Sequence, residues 1–237
     1  MDKHQYDILT RRYMNILFSD FFTLLIFIGQ VPLIGAIIGW RWGSINPSDT
    51  FYFVIALTGL WIGTSTSCRE LVKEKEIFII EKFQFLKETP YLFSKYTVLF
   101  FVACIQTGLF YFAMFKFMKF KGLFLMIIGT LLGMFSGVVL GLFISAVAKS
   151  SDQAVILVPV FLIPQLLFSD IILPGVKILG KLKYLNYFFP LKWFNELIKV
   201  IMQSKLDYKL LAENSFFLIL TMVFYSFATW LILKNRR

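Results

Sequence analysis

Six long apolar segments constrain the fold of this chain more than any other feature of its sequence. The chain contains 24 Lys and Arg residues and 14 Asp and Glu residues, of which only Asp170 lies inside these segments. At 1.5 Å per residue, a helix formed by each segment can cross a hydrocarbon core of ~30 Å with some tilt or local thinning of the bilayer. The six segments are 21–40, 51–67, 96–115, 122–148, 154–173 and 215–233.

The composition supports a location in the membrane. Apolar residues make up 58% of the chain and charged residues only 16%, whereas an average soluble domain is roughly 25% charged. Lipid offers the backbone no hydrogen bonds, and no segment alternates apolar and polar residues as a barrel strand would, so we expect helices. The sequence therefore predicts an all-α integral membrane protein with six transmembrane helices, in which residues 1–237 form one domain.

The distribution of basic residues predicts the orientation. With six spans both termini lie on one side, and the segments on that side hold 13 Lys and Arg residues against 11 on the other. Seven of those 11 lie in one long outer stretch, 174–214, and without it the comparison becomes 13 to 4. This favours termini in the cytoplasm and a chain in the inner (cytoplasmic) membrane. Because the basic residues lie between apolar runs, we expect them to meet anionic lipid headgroups and not nucleic acid.

Two segments outside the spans are expected to lie at the membrane surfaces. Residues 1–20 place apolar side chains at helical spacing around a basic polar face, which is typical of an amphipathic interfacial helix. Residues 174–214 combine aromatic residues with Lys192, Glu196 and Lys199 at helical spacing. We expect one or two short helices there that dip into the outer leaflet. The alternative is a seventh span, which would put the C-terminus outside.

The sequence offers little catalytic chemistry. His4 is the only histidine, so neither a histidine-based triad nor a His/Cys zinc site can form, and we expect no catalytic residue and no bound metal. The stretch GVKILGKL at 175–182 has the first half of a phosphate-binding loop, but Leu182 replaces the Ser or Thr that would hold magnesium. If ATP is used, another chain is expected to bind it. The two cysteines, Cys68 and Cys104, are expected to be packed thiols.

The fourth apolar segment carries four glycines spaced four residues apart. Such a row lets another helix approach backbone to backbone, which is how spans pack together in lipid. Static packing is the favoured interpretation, and an interface that slides during transport is the alternative. The four residues are Gly129, Gly133, Gly137 and Gly141.

The densest cluster of charges follows the second segment, at residues 69–82. As a helix, this stretch would set Ile77, Phe78 and Glu81 on adjoining turns. A simple connection between two spans would not need exposed Ile and Phe residues. An exposed apolar ridge flanked by charges is typical of a docking element for a soluble partner. A solvated juxtamembrane helix is the alternative.

Three stretches give the chain a resemblance to a known family. EKEIFIIEKFQFLKETPYLFSK (Glu74–Lys95) is similar to a loop in which E-(K/R)-x-x-F-x-x-E opens a coupling helix and Y-x-x-(S/G/A)-K opens the third span. PQLLFSDIILP (Pro164–Pro174) resembles the end of the fifth span, and Leu185–Met202, with an aromatic residue before Pro190, resembles the segment after it. Together with the order of the segments, these stretches resemble the transmembrane permease domain of ABCG-like ABC exporters over nearly the whole chain.

Some positions depart from that family. Asp170 stands where a glycine is usual, and Gln84-Phe85 stands where a glycine–aromatic pair is usual. The extracellular cysteines and the fused ATPase domain of the eukaryotic members are not found in this sequence. The resemblance therefore implies a stand-alone permease subunit of the bacterial type.

The resemblance also implies a function and its partners. The chain would be the membrane-spanning permease subunit of an ATP-driven exporter, and would not be an enzyme by itself. It would dimerise with a second copy or with a homologous permease. Two separate ABC ATPase subunits would bind ATP and Mg and would dock on the cytoplasmic coupling loop, 68–95. An ATP-independent membrane channel or carrier is the alternative.

The residues of the site follow from the same resemblance. In the family, the second and fifth spans line a central cavity, and an apolar valve closes its outer end. Apart from hydroxyl groups the matching residues here are apolar, so a hydrophobic or amphipathic substrate is expected. The residues implied are Glu74, Ile77, Phe78, Glu81 and Phe85 for coupling to the ATPase, Thr58, Ile62, Ser65, Ile163 and Leu166 for the substrate cavity, and Ile171 and Ile172 for the outer valve.

Overall fold

The computed structural model of the chain describes residues 2–43, 48–118, 122–169, 171–172, 185–203 and 206–236. Asp170 and the stretch 175–182, singled out above, lie outside these residues. The described residues contain nine α-helices and no β-strand. The helices are α1 (Lys3–Ser19), α2 (Phe21–Trp42), α3 (Asp49–Ser67), α4 (Lys75–Phe83), α5 (Glu88–Phe115), α6 (Leu123–Val147), α7 (Ser151–Leu167), α8 (Pro190–Met202) and α9 (Tyr208–Asn235).

Each of the six apolar segments coincides with most of one helix, namely α2, α3, α5, α6, α7 and α9. Among the described residues, four of these helices are long and apolar enough to cross a membrane: α2, α5, α6 and α9. Helix α7 is apolar but has only 17 residues, and α3 carries Asp49 in its first turn and hydroxyl residues in its last. The prediction of an all-helical membrane protein is confirmed, and the count of six spans stays a prediction.

Helix α1 packs beside the start of α5. Asp2 caps it by accepting a hydrogen bond from a backbone N–H of the first turn. Its apolar side chains point in two directions: Leu9 and Tyr13 are buried against the chain, whereas Ile8 and Phe18 are 53% and 61% exposed. The buried pair fixes the helix to the protein. The exposed pair is suited to the apolar boundary of a headgroup layer.

Helices α3 and α6 pack closely along their length, and the glycine row of α6 is the reason. Gly137 and Gly141 face α3, where a Cβ atom at either position would collide with a backbone carbonyl oxygen. Gly129 and Gly133 face α8, and the ring of Phe194 occupies the space beside Gly133. The structure thus places all four glycines at contacts with other helices, where a side chain would hold the backbones apart.

Gly137→Ala should lower the stability of the protein by ~1–3 kcal/mol, because the added methyl group meets the carbonyl oxygen of Leu60, which cannot rotate away. A lower midpoint of thermal unfolding in detergent micelles measures this loss. Gly108→Ala is the matched control: it brings the same gain in helix propensity, at a site in α5 with nothing within 4 Å of the new methyl group. Equal midpoints for the two variants would contradict a backbone contact between α3 and α6.

The stretch 174–214 contains α8, whose 13 residues span about 20 Å. This is too short to cross a core of ~30 Å, so α8 is not the alternative seventh span. The helix begins at Pro190, which lacks an N–H group that the first turn would leave unpaired. Gln165 of α7 accepts a hydrogen bond from the Leu191 N–H at 3.2 Å. Phe194 and Ile198 are fully buried, so α8 is packed into the protein against α3, α6 and α9.

Candidate functional site

Helix α4 carries the residues predicted to dock a partner, and one face of it turns inward. The ring of Phe78 is 1% exposed and lies 4.6 Å from the ring of Tyr91, at the start of α5. Leu71 and Leu92 belong to the same buried cluster. The expectation that Phe78 stands exposed on a ridge is therefore wrong. A helix of only nine residues is unstable alone, and Phe78 is the apolar anchor that holds it against the protein.

The opposite face of α4 is exposed and largely apolar. Ile77, Ile80 and Phe83 follow one another at three-residue spacing and are 52%, 60% and 79% exposed, and Phe85 beyond the helix end is 87% exposed. We call these four side chains the α4 stripe. Exposed apolar residues grouped in this way mark interaction sites. Ile80 and Phe83 are missing from the sequence-based prediction, although their three-residue spacing from Ile77 is the signal that could have found them.

The backbone of Phe85 adds to this exposure. Its φ of 74° lies in the left-handed region, where glycine is the usual residue at the end of a helix. The Leu86 N–H donates to the Glu81 carbonyl at 3.1 Å, which closes the helix end. The Phe85 carbonyl accepts a hydrogen bond from the side-chain amide of Gln5 at 3.0 Å. These bonds hold the strained turn in place and leave the Phe85 ring exposed.

Glu74, which was predicted to contact the ATPase, is directed into the chain. Its carboxylate accepts hydrogen bonds from the Lys95 ammonium at 2.6 Å and from the Tyr91 hydroxyl at 3.1 Å. The Lys95 ammonium also lies 3.5 Å from the centre of the Tyr13 ring, and the Lys95 side chain is 1% exposed. Removing an ammonium from water costs several kcal/mol, so Lys95 depends on these partners.

Glu81 is also paired within the chain. It forms a two-pronged salt bridge with the Arg12 guanidinium of α1, with Nη2 to Oε2 at 3.1 Å, and this hydrogen bonding raises the pKa of Arg12. The neighbouring Tyr13 hydroxyl donates to Glu70 at 2.7 Å. Burial raises the pKa of Tyr13 well above its usual value, so the hydroxyl keeps its proton and stays a donor. We call the side chains that make these contacts the polar network: Arg12, Tyr13, Glu70, Glu74, Glu81, Tyr91 and Lys95.

The polar network joins α1, α4 and the start of α5, and further hydrogen bonds extend this unit to α6 and α9. The N–H groups of Leu71 and Val72 donate to the Ser145 hydroxyl of α6 at 2.9 and 3.0 Å. The Lys82 ammonium donates to the carbonyl groups of Leu233 and Lys234, near the end of α9, at 2.9 and 2.7 Å. These contacts connect α4 and the residues just before it to α1, α5, α6 and α9.

The residues implied for the substrate cavity do not all lie together. Ser65 lines a cavity of about 310 Å³ between α2, α3 and α7, together with Trp61 and Arg69. Thr58 is partly exposed on the same helix, but Ile62 is 1% exposed and belongs to the main hydrophobic core. The expectation that Ile62 lines a cavity is wrong, because the face of α3 that carries it is packed inside the chain.

The implied residues on and beyond α7 lie away from that cavity. Ile163 is 49% exposed, and Leu166 is half-buried against the main core. Neither borders the cavity beside Ser65, which is lined by the part of α7 nearer its start. Of the two residues implied for the outer valve, Ile171 packs on the main core and Ile172 is 47% exposed.

The cavity beside Ser65 is lined mainly by apolar side chains. Trp61 and Pro159 give it apolar walls, and Arg69, just beyond the end of α3, is among its lining residues. Burial raises the pKa of the Cys68 thiol in its wall to about 11, so this cysteine is a neutral packing group and not a nucleophile. A space of this size can enclose the apolar part of a small amphipathic molecule.

Comparison with known protein families shows which family the chain belongs to. Residues 4–203 match the family model described as ABC-2 type transporter. The chain belongs to this family. The match runs from α1 to the end of α8 and so includes the polar network and the α4 stripe. No characterised protein compared with the chain matches it. As a member of the family, the chain is a multi-pass membrane permease, a transport subunit that is not itself catalytic.

Proposed function

We propose that this permease is the membrane subunit of an ATP-driven exporter, and that a separate ATPase subunit docks on the α4 stripe. The observation that carries the proposal is the stripe itself: exposed apolar side chains on a helix that Phe78, Glu74 and Glu81 hold firmly from the other side. Such a surface is typical of a site that a partner covers. Its firm attachment lets the partner's movement reach the membrane helices.

The proposed mechanism uses the polar network as the mechanical link. Two ATPase subunits bind ATP and Mg, and their closure displaces α4. Because Glu74 is bound to Lys95 and Glu81 to Arg12, helices α5 and α1 move with it. Lys82 carries the displacement to α9. In a dimer with a second copy or a homologous permease, this movement opens the substrate cavity alternately to the cytoplasm and to the outside.

The cavity beside Ser65 supports a hydrophobic or amphipathic substrate. Its walls near Trp61 and Pro159 favour an apolar group, and a basic residue among its lining residues, Arg69, is compatible with a polar or anionic end. The described spans contain neutral polar side chains but no buried carboxylate, so proton or sodium coupling has no evident site there. This favours energy supplied by a docked ATPase.

The proposed topology has six spans, both termini in the cytoplasm, and a place in the inner membrane. Gln84→Cys, in the exposed turn after α4, should then resist an impermeant thiol reagent added to intact cells, whereas Tyr208→Cys, 74% exposed at the start of α9, should react. Both variants need Cys68 and Cys104 replaced by Ala. After lysis both positions should react. The reverse pattern in intact cells would contradict the orientation, and protection of both positions would contradict the three spans, α5, α6 and α7, proposed between them.

Transport in vesicles distinguishes the exporter from a passive channel. The permease, purified with the ATPase that accompanies it, should move a fluorescent amphipathic compound across proteoliposomes only when ATP and Mg are present. Vesicles with the permease alone are the control and should be inactive. Flux that continues without nucleotide would contradict the exporter and support the channel or carrier.

A further inference from the structure

An apolar groove of about 500 Å³ runs along the side of the bundle between α5, α6 and α9. It shares no lining residue with the cavity beside Ser65. Its walls are apolar except for a few hydroxyl groups, of which those of Tyr96 and Ser226 bond to each other at 2.9 Å. The groove therefore offers a ligand an apolar surface in which two of the polar groups are already paired.

The length of the groove matches one leaflet of a bilayer. Along α9 the lining runs from Ile219 to Trp230, which is about 16 Å and half of a ~30 Å hydrocarbon core. Trp230 lies at the end nearest the C-terminus, and the Lys234 ammonium is 4.9 Å from its ring centre. Tryptophan and lysine in this arrangement are typical of the membrane–water interface. The groove therefore extends from that interface to about the middle of the bilayer.

The groove is too narrow to enclose a helix. A volume of about 500 Å³ over about 16 Å gives a mean cross-section of roughly 30 Å². A helix at least 10 Å across, side chains included, needs roughly 80 Å². An extended hydrocarbon chain fits inside this space, whereas a partner helix could only lie along the mouth of the groove with side chains inserted.

Two opposite charges stand at the interfacial end of the groove. Thr89 lines both the groove and an adjoining cavity of about 340 Å³ that contains Asp2 and Lys87. The Lys87 ammonium and the Asp2 carboxylate are 4.0 Å apart, beyond hydrogen-bond distance, and their side chains are 66% and 36% exposed. An exposed pair at this distance is weak, so both charges can accept other partners.

We propose that this groove holds one phospholipid, with an acyl chain between α5, α6 and α9, its phosphate at Lys87 and a headgroup amine at Asp2. A phosphoethanolamine headgroup carries the two complementary charges on neighbouring groups. The lipid comes from the leaflet nearest α1 and the C-terminus. It is a resident lipid and not the exported substrate, so its binding needs neither ATP nor a partner subunit.

Native mass spectrometry of the purified permease in mild detergent, titrated with phosphatidylethanolamine, tests the acyl-chain site. The wild-type chain should retain one lipid. Val223→Trp places an indole inside the groove and should weaken this binding at least tenfold. Ile105→Trp is the matched control, since Ile105 is 51% exposed on the opposite face of α5 while Val223 is 58% exposed. It should bind lipid as the wild type does.

Headgroup variants test the polar end. Lys87→Ala should weaken binding of phosphatidylethanolamine several-fold and Lys87→Arg should restore it. Asp2→Asn keeps an oxygen to cap α1 but loses the charge, so it should remove the preference for phosphatidylethanolamine over phosphatidic acid, which lacks the amine. Unchanged lipid binding in Val223→Trp would overturn the proposal. So would a Val223→Trp variant that alters the oligomeric state and leaves lipid binding intact, because the groove would then be an interface between copies.

Discussion

Replacing Lys95 by Met should lower the free energy of unfolding by ~3–5 kcal/mol. The substitution leaves the Glu74 carboxylate, whose side chain is 14% exposed, without the cation that lies 2.6 Å away. Met retains much of the apolar volume of the lysine stem, so the loss reports the charge and not a cavity. Thermal unfolding in detergent micelles should show the effect as a large fall in the midpoint temperature.

Two further variants decide what the Lys95 result means. Adding Glu74→Gln to Lys95→Met removes the unpaired carboxylate and should recover part of the lost stability. Lys199→Met breaks the pair with Glu196, whose side chain is 41% exposed, and should cost less than ~1 kcal/mol. If Lys95→Met unfolds no earlier than Lys199→Met, the polar network does not hold α4 in place, and the proposed route from α4 to α5 loses its support.

The helices were predictable from the sequence because lipid leaves the backbone few alternatives. A segment without charges in hydrocarbon must satisfy its hydrogen bonds internally, so apolar length alone indicates a helix. It does not indicate where the helix ends. Helix α5 begins at Glu88, and α9 begins at Tyr208, each several residues before the apolar segment it contains. Hydropathy identifies the part of a helix that is apolar enough to lie in lipid, whereas capping and tertiary contacts determine where the helix begins and ends.

The partners within the candidate site were not predictable in the same way. The charges that flank the docking residues are visible in the sequence, but Glu81 finds Arg12 69 positions away in the chain. Glu74 finds Lys95 21 positions away. These pairs depend on how α1 and α5 are placed around α4, and local spacing carries no information on that placement. From the sequence alone, a charged residue in a loop is therefore expected to be solvent-exposed, and only the tertiary structure shows whether it has a partner.

The sequence also does not determine which face of α4 is buried. Helical spacing groups Ile77, Ile80 and Phe83 on one face and sets Phe78 apart from them. Phe78 and these three residues are all apolar, so the pattern does not indicate which face of the helix is buried. The ring of Tyr91 decides it, since it packs on Phe78. The replacement of the usual glycine by Gln84 was visible in the sequence, but the left-handed backbone of Phe85 was not.

Replacing Phe83 by Ala should separate the permease from its ATPase and leave the chain folded. The Phe83 ring is 79% exposed in the free chain, so its loss should change the stability of the permease little. At a docking surface, truncating an aromatic anchor costs ~2 kcal/mol or more, which is about a 30-fold loss of affinity. Retention of the ATPase during purification, and ATP hydrolysis stimulated by the permease, measure the effect.

Phe112→Ala and Phe78→Ala make this prediction specific to the α4 stripe. Phe112 is 77% exposed on α5, so its substitution removes a ring of matched exposure elsewhere and should leave the ATPase bound. Phe78 is buried, and its loss should cost ~3–5 kcal/mol of stability because it leaves a cavity beneath α4. Substitution of the two aromatic residues of α4 should therefore have different effects. The Phe83→Ala variant should stay folded but lose the ATPase, and the Phe78→Ala variant should be unstable. Normal ATPase binding by a folded Phe83→Ala variant would place the docking surface elsewhere.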